Sequence, residues 1–245
     1  NRSKFEVYCD LKKKGITSFP NIHPRDIFKA NKQIQIGEEA IFPLSGIANQ
    51  RTILCNESGK YIFFKSDKMG FRNPPNTWDS GKIQVALIGD SFTHGNCVPE
   101  GDTIAGNIRK KYPRTLNLGR SGNGPLIEYA TLKEFLPSQK PQFVFWIYFE
   151  GNDLAELGNE RKNLFLKKYI NSSFSFGLKN YQSEVNSQLK NLIDSYESSG
   201  NSCNNTDETP EPDISPRLCS KNFLGCSEDF FFLQGWKYLF QKIWG

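Results

Sequence analysis

The sequence predicts an α/β fold built on an open parallel sheet. Three apolar runs of strand type, Gln84 to Ile88, Thr115 to Leu118 and Phe143 to Phe149, are separated by helical stretches at Ile104 to Tyr112 and Leu126 to Phe135. Each run stops at a polar, glycine-bearing loop. Strand–helix–strand units cross over right-handedly, so the carboxyl ends of all three strands open on one side of the sheet. The expected spatial order is second, first, third. The near-continuous apolar third run calls for helices on both faces.

Residues 1 to 80 read as a small β-rich appendage before a main domain at 81 to 245. Its strand-like stretches are Ala40-Ile41-Phe42-Pro43-Leu44 and Tyr61-Ile62-Phe63-Phe64, followed by Met69-Gly70-Phe71-Arg72-Asn73-Pro74. Arg72 is expected to be a structural surface arginine, the rim of a site being the alternative. The first core run enters Gly89-Asp90-Ser91-Phe92-Thr93-His94-Gly95, which lifts Ser91 onto a tight turn before a helix. A serine there is placed as a nucleophile. A bare N-cap accounts for the motif, taken alone, equally well. The second run leads into Arg120-Ser121-Gly122-Asn123-Gly124-Pro125, where Gly122 offers an N–H unobstructed by a side chain. The third stops at Glu150-Gly151-Asn152-Asp153, putting the Asn152 amide at the same edge. Together these supply a nucleophile and three oxyanion donors: the Ser91 N–H, the Gly122 N–H and the Asn152 side chain.

From Gly81 to Asp153 the chain resembles the SGNH hydrolases, the GDSL-type esterases and lipases. The motifs are Gly89-Asp90-Ser91, then Asn117-Leu118-Gly119-Arg120-Ser121-Gly122, then Gly151-Asn152-Asp153. The resemblance implies a flavodoxin-like three-layer α/β/α fold with a parallel sheet and Ser91 as nucleophile. It gives Gly122 and Asn152 as oxyanion donors beside the Ser91 N–H. Asp90 and Asp153 are supporting carboxylates, with Asp90 organising the loop rather than completing a triad. No cofactor and no metal are implied. The departure is the general base. The family carries Asp-x-x-His near its carboxyl terminus, whereas this chain holds only His23 and His94, neither with an aspartate three residues before it. His94 is expected to line a pocket or face solvent, a local base being the lesser alternative, and His23 to be a loop residue.

After the third strand the expected elements are a helix from Lys179 to Ser199, a polar insertion at about 200–228 (the loop Gly200 to Ser227), and a helix from Phe230 to Trp244. No further parallel strand is legible, so the chain is expected to be a fragment of a longer protein that carries the missing strands and histidine. Phe143 to Phe149 would then be an uncovered edge, prone to association.

Composition narrows the function classes. A chain of 245 residues, 37% hydrophobic and 13% aromatic, has enough apolar content for a substantial core. No apolar run reaches membrane-spanning length. A net charge of +5 is mild, and Arg109-Lys110-Lys111-Tyr112-Pro113-Arg114 reads as a solvated helix end, which argues against a nucleic-acid partner. The six cysteines, Cys9, Cys55, Cys97, Cys203, Cys219 and Cys226, lack a C-x-x-C pair, so no zinc site is expected. One disulfide within the cluster Cys203, Cys219 and Cys226 and a set of free structural thiols are equal alternatives. The first leans towards a periplasmic or extracellular setting. The expected activity is serine ester hydrolysis, removing an acyl group such as acetyl from a carbohydrate or other small polar ester through an acyl-serine. The alternatives are a polysaccharide O-acyltransferase and a catalytically silent carbohydrate-binding relative.

Overall fold

In the computed structural model the described residues are 2–30, 33–36, 39–79, 81–198, 203 and 236–241. The chain opens with α1 (Lys4–Lys13), started by a capping box in which Ser3 Oγ accepts the Glu6 N–H and the Glu6 carboxylate accepts the Ser3 N–H. Next come β1 (Phe19–Pro20), α2 (Pro24–Lys29), β2 (Ile34–Ile36), β3 (Glu39–Ile41), β4 (Arg51–Cys55) and β5 (Ile62–Lys65). Strand β4 pairs with β1 in parallel and with β5 antiparallel, while β2 and β3 form a separate antiparallel pair. Two helices therefore accompany the strands of this segment. The first is hard to see in the sequence because it is rich in charge, although Val7, Tyr8, Cys9 and Leu11 are all buried.

The remainder runs through β6 (Val85–Gly89), α3 (Ser91–His94), α4 (Ile104–Arg109), β7 (Thr115–Asn117), α5 (Pro125–Phe135) and β8 (Phe143–Phe149). It continues with α6 (Asp153–Glu160), α7 (Leu164–Lys167), α8 (Gln182–Ser198) and β9 (Trp236–Gln241). The sheet order is β7-β6-β8-β9, with β7 and β8 parallel to β6. The three parallel strands thus lie in the order second, first, third, and the protein is mixed α/β.

All five residues of β6 are buried, and alternate side chains serve opposite faces. Val85 and Leu87 pack with Ala105 of α4, whereas Ala86 and Ile88 join the main core with Leu126, Ile127 and Ala130 of α5. That main core also takes in Val7, Ile27, Phe42 and Ile53 from the amino-terminal segment. Strand β8 is less enclosed than its composition implies: Val144 and Ile147 are buried, but Phe143 is 41% exposed. Its aromatic residues make ring contacts instead, Trp146 stacking on Tyr129 at 6.3 Å and Phe149 meeting Phe92 at 4.9 Å.

Four expectations are corrected. Trp236–Gln241, expected within a helix from Phe230 to Trp244, forms a strand antiparallel to β8, in register from Val144↔Gln241 to Phe149↔Trp236. Short apolar runs are ambiguous between helix and strand, and pairing along β8 satisfies backbone groups that a helix would leave open. By the same pairing, Phe143 to Phe149 is not an uncovered edge. Cys203 bonds to Cys9, and Cys55 to Cys97, so Cys203 pairs outside the cluster of Cys203, Cys219 and Cys226 in which a disulfide was expected. The loop expected from Gly200 to Ser227, with Cys219 and Cys226, lies outside the described residues apart from Cys203.

Arg72 is the fourth correction. It is only 2% exposed, ion-paired through Nε to Glu100 and bonded to the carbonyls of Gly95 and Val98. Its role is to hold the segment that follows α3. Among the described residues no helix is long and apolar enough to cross a membrane.

Candidate functional site

Ser91 opens α3 directly after β6, Gly122 follows β7, and Asn152 follows β8, so three adjacent parallel strands deliver all three to one sheet edge. The Arg120 N–H donates to the Gly89 carbonyl at 3.1 Å, which extends the β6–β7 pairing into the loops and brings residues 120–122 alongside 89–91. Gly119 is needed for that approach, since a Cβ there would stand 2.6 Å from the His94 nitrogen and from Thr93. Gly122 has φ +80°, a left-handed conformation that glycine adopts without strain.

Asp90 is the N-cap of α3, its Oδ1 accepting the Phe92 N–H at 3.0 Å. Ser91 Oγ makes only a long contact, 3.4 Å, with Asp90 Oδ2. Asn152 precedes α6, but its side chain makes no capping bond, and its Oδ1 is buried without a partner. Asp153 is buried, with Oδ2 accepting the Phe149 N–H at 2.7 Å, which fixes the turn that carries Asn152.

Four carboxyls lie near this edge. Burial pushes Asp90 up, Glu128 well up, Asp153 to about 6 and Glu160 to about 7. Desolvation is the leading cause in each, and their mutual repulsion adds to it for Glu128 and Asp153. Glu160 caps α5, accepting the N–H groups of Gly124 and Leu126 at 2.7 and 2.8 Å.

His94 neither lines a pocket nor faces solvent: it is fully buried, edge-on to Phe64. Its Nδ1 lies 2.8 Å from Ser121 Oγ, and the Ser121 N–H also points at it, at 3.4 Å. Nδ1 is thus the accepting nitrogen, and Nε2 carries the hydrogen, sealed without a partner. Burial, with Arg120 and Arg72 nearby, holds this imidazole well below its usual range. No lone pair remains for Ser91, which removes the local-base alternative.

His23 is the residue that sequence reasoning missed. It is the N-cap of α2, and its Nδ1 lies 2.7 Å from the Ser121 carbonyl oxygen. The two histidines therefore grip Ser121, one by its backbone oxygen and one by its hydroxyl, and fix the peptide that presents the Gly122 N–H. Arg25 flanks the same glycine, with its Nε 3.5 Å from where a Cβ would stand, and is ion-paired to Glu156 at 2.7 Å. The only sequence signal was His23-Pro24, a helix start with proline at the first position.

Buried Arg120 reaches the Ile22 carbonyl at 2.5 Å and ties the loop to the amino-terminal segment. Desolvation lowers its pKa to about 10. Among the described residues no group of three or more His, Cys, Asp or Glu side chains is placed to hold a metal ion. No protein-family model matches this chain, and neither a curated protein nor a solved structure matches it.

Proposed function

We propose that this chain is a serine ester hydrolase of SGNH type, built on a flavodoxin-like three-layer sheet, that removes an acyl group such as acetyl from a carbohydrate or other small polar ester. The observation that carries this is the Asn152 side chain, which caps nothing at an edge that also presents Ser91 and Gly122. Ser91 Oγ attacks the ester carbonyl, giving its proton to solvent water as the new C–O bond of a tetrahedral intermediate forms. Its oxyanion takes hydrogen bonds from the Ser91 N–H, the Gly122 N–H and the Asn152 amide. Collapse breaks the ester C–O bond, the departing oxygen takes a proton from solvent to leave as the alcohol, and water cleaves the remaining acyl-serine to the carboxylic acid and free Ser91. Two disulfides suit an oxidising compartment.

A catalytically silent carbohydrate-binding protein is the second reading, favoured by Ser91 Oγ having only the 3.4 Å contact with Asp90. A fluorophosphonate ester separates the two. Under the hydrolase reading it phosphonylates the chain at Ser91, located by peptide mass, and Ser91→Ala takes no label. With no base bonded to Ser91 among the described residues, hydrolysis of p-nitrophenyl acetate is slow, roughly a thousandfold over water and carried by the oxyanion donors, so the label rather than the rate separates Ser91→Ala from the wild type. Absence of both label and turnover in folded protein favours the silent alternative.

A further inference from the structure

We propose that the amino-terminal segment forms one wall of this site, and that His23 Nε2 there accepts a hydrogen bond from a neutral hydroxyl of a sugar-like ligand seated against Gly122. The inference deepens the proposed function and rests on the Ser91 edge being where the ligand binds.

The tautomer follows from the partner. The Ser121 carbonyl oxygen 2.7 Å from His23 Nδ1 can only accept, so Nδ1 carries the hydrogen and Nε2 keeps its lone pair. That lone pair is free: Nε2 takes no partner among the described residues and, unlike His94 Nε2, is not sealed from solvent. The ring cannot swing away without losing its grip on Ser121. It borders Gly122, with its Cβ 3.5 Å from where a side chain on that residue would begin. A lone pair held in this way selects for a donor.

The surroundings select which donor. Burial, aided by Lys4 and Arg120, holds His23 down at about 4, so the ring is uncharged near neutral pH. An uncharged Nε2 offers nothing to a carboxylate or phosphate, which only accept. Lys4 and Arg120 repel an ammonium donor, and Arg25 adds a third positive charge beside Gly122. A neutral O–H remains, as a sugar hydroxyl supplies. Asp26 is the acidic group facing His23, and it is the weakest of the influences on the ring.

The test uses methyl 6-O-acetyl-β-D-glucopyranoside and its fully O-methylated counterpart, which keeps the ester but has no hydroxyl. Titration of the ¹⁵N-labelled chain with the glycoside should shift the His23 Nε2 resonance, and the methylated compound should bind about fivefold more weakly. His23→Asn keeps an N–H for the Ser121 carbonyl and removes the distal acceptor, so it should weaken glycoside binding by about fivefold, with His23→Gln recovering part of the loss. An unmoved Nε2 resonance in the saturated wild-type chain overturns the proposal without reference to any variant. Equal affinity for the two compounds overturns it as well. Phosphonylation of wild-type Ser91 is scored separately. If it fails while the His23 shift persists, acyl transfer falls and the His23 assignment stands.

Discussion

At Asp67 a carboxylate with no exposure to water accepts from the Met69 and Phe71 N–H groups, Asn73 Nδ2 and Trp78 Nε1, at 2.7 to 3.0 Å. Asn73 in turn bonds both the N–H and the carbonyl of Asn117, the last residue of β7, so the acid anchors the approach to the Gly122 loop. Asp67→Ala strands these buried donors and should cost about 3 kcal/mol or more, read from the urea midpoint; a loss under about 1 kcal/mol would contradict the network. Asn152 should behave oppositely. Its side chain supports no capping bond, so Asn152→Ala should leave stability within about 0.5 kcal/mol. The same change should lower ester turnover by roughly a hundredfold or more. The meeting of Ser91, Gly122 and Asn152 at one sheet edge was legible because each follows a recognisable strand. The grip on Ser121 was not, because His23 and Ser121 are 98 residues apart, and only the fold shows that the two histidines meet one residue.

Helix α6 begins at Asp153 and ends at Glu160, and both carboxyls sit above their ordinary range, at about 6 and about 7. A raised acid holds its proton better in the folded chain, so its contribution is full at acid pH, below the usual carboxylate range. It is lost as pH rises through those values. Stability carried by this helix should therefore fall between about pH 5 and about pH 8. Asp153→Asn keeps an oxygen for the Phe149 N–H and removes the titration, so its unfolding free energy should depend less on pH than the wild type's. Parallel curves for the two proteins would contradict the assignment. At this scale the parallel strands were legible because each short apolar run ends at a polar, glycine-bearing loop and is separated from the next by a helical stretch. Strand β9 was not, since a six-residue aromatic stretch acquires its conformation from the neighbour it pairs with.

Across the molecule, the amino-terminal segment is tied to the sheet by a shared core, by Arg120 reaching the Ile22 carbonyl, and by Cys55–Cys97, which links β4 to the segment after α3. Cys9–Cys203 closes a separation of 194 residues and should contribute about 2–4 kcal/mol. Cys203→Ser should lower the urea midpoint accordingly, and an unchanged midpoint would show that the bond constrains little. The pairing was illegible because cysteine spacing does not fix connectivity. The central claim is that Ser91, the Gly122 N–H and the Asn152 amide face a single oxygen atom, and the phosphonyl oxygen of a Ser91 adduct occupies that position. The decisive measurement is the ¹H–¹⁵N spectrum of the chain before and after phosphonylation at Ser91. The Gly122 amide and the Asn152 side-chain amide should both move downfield as they bond that oxygen. A modified Ser91 with both resonances unmoved would show that the three groups do not share a site.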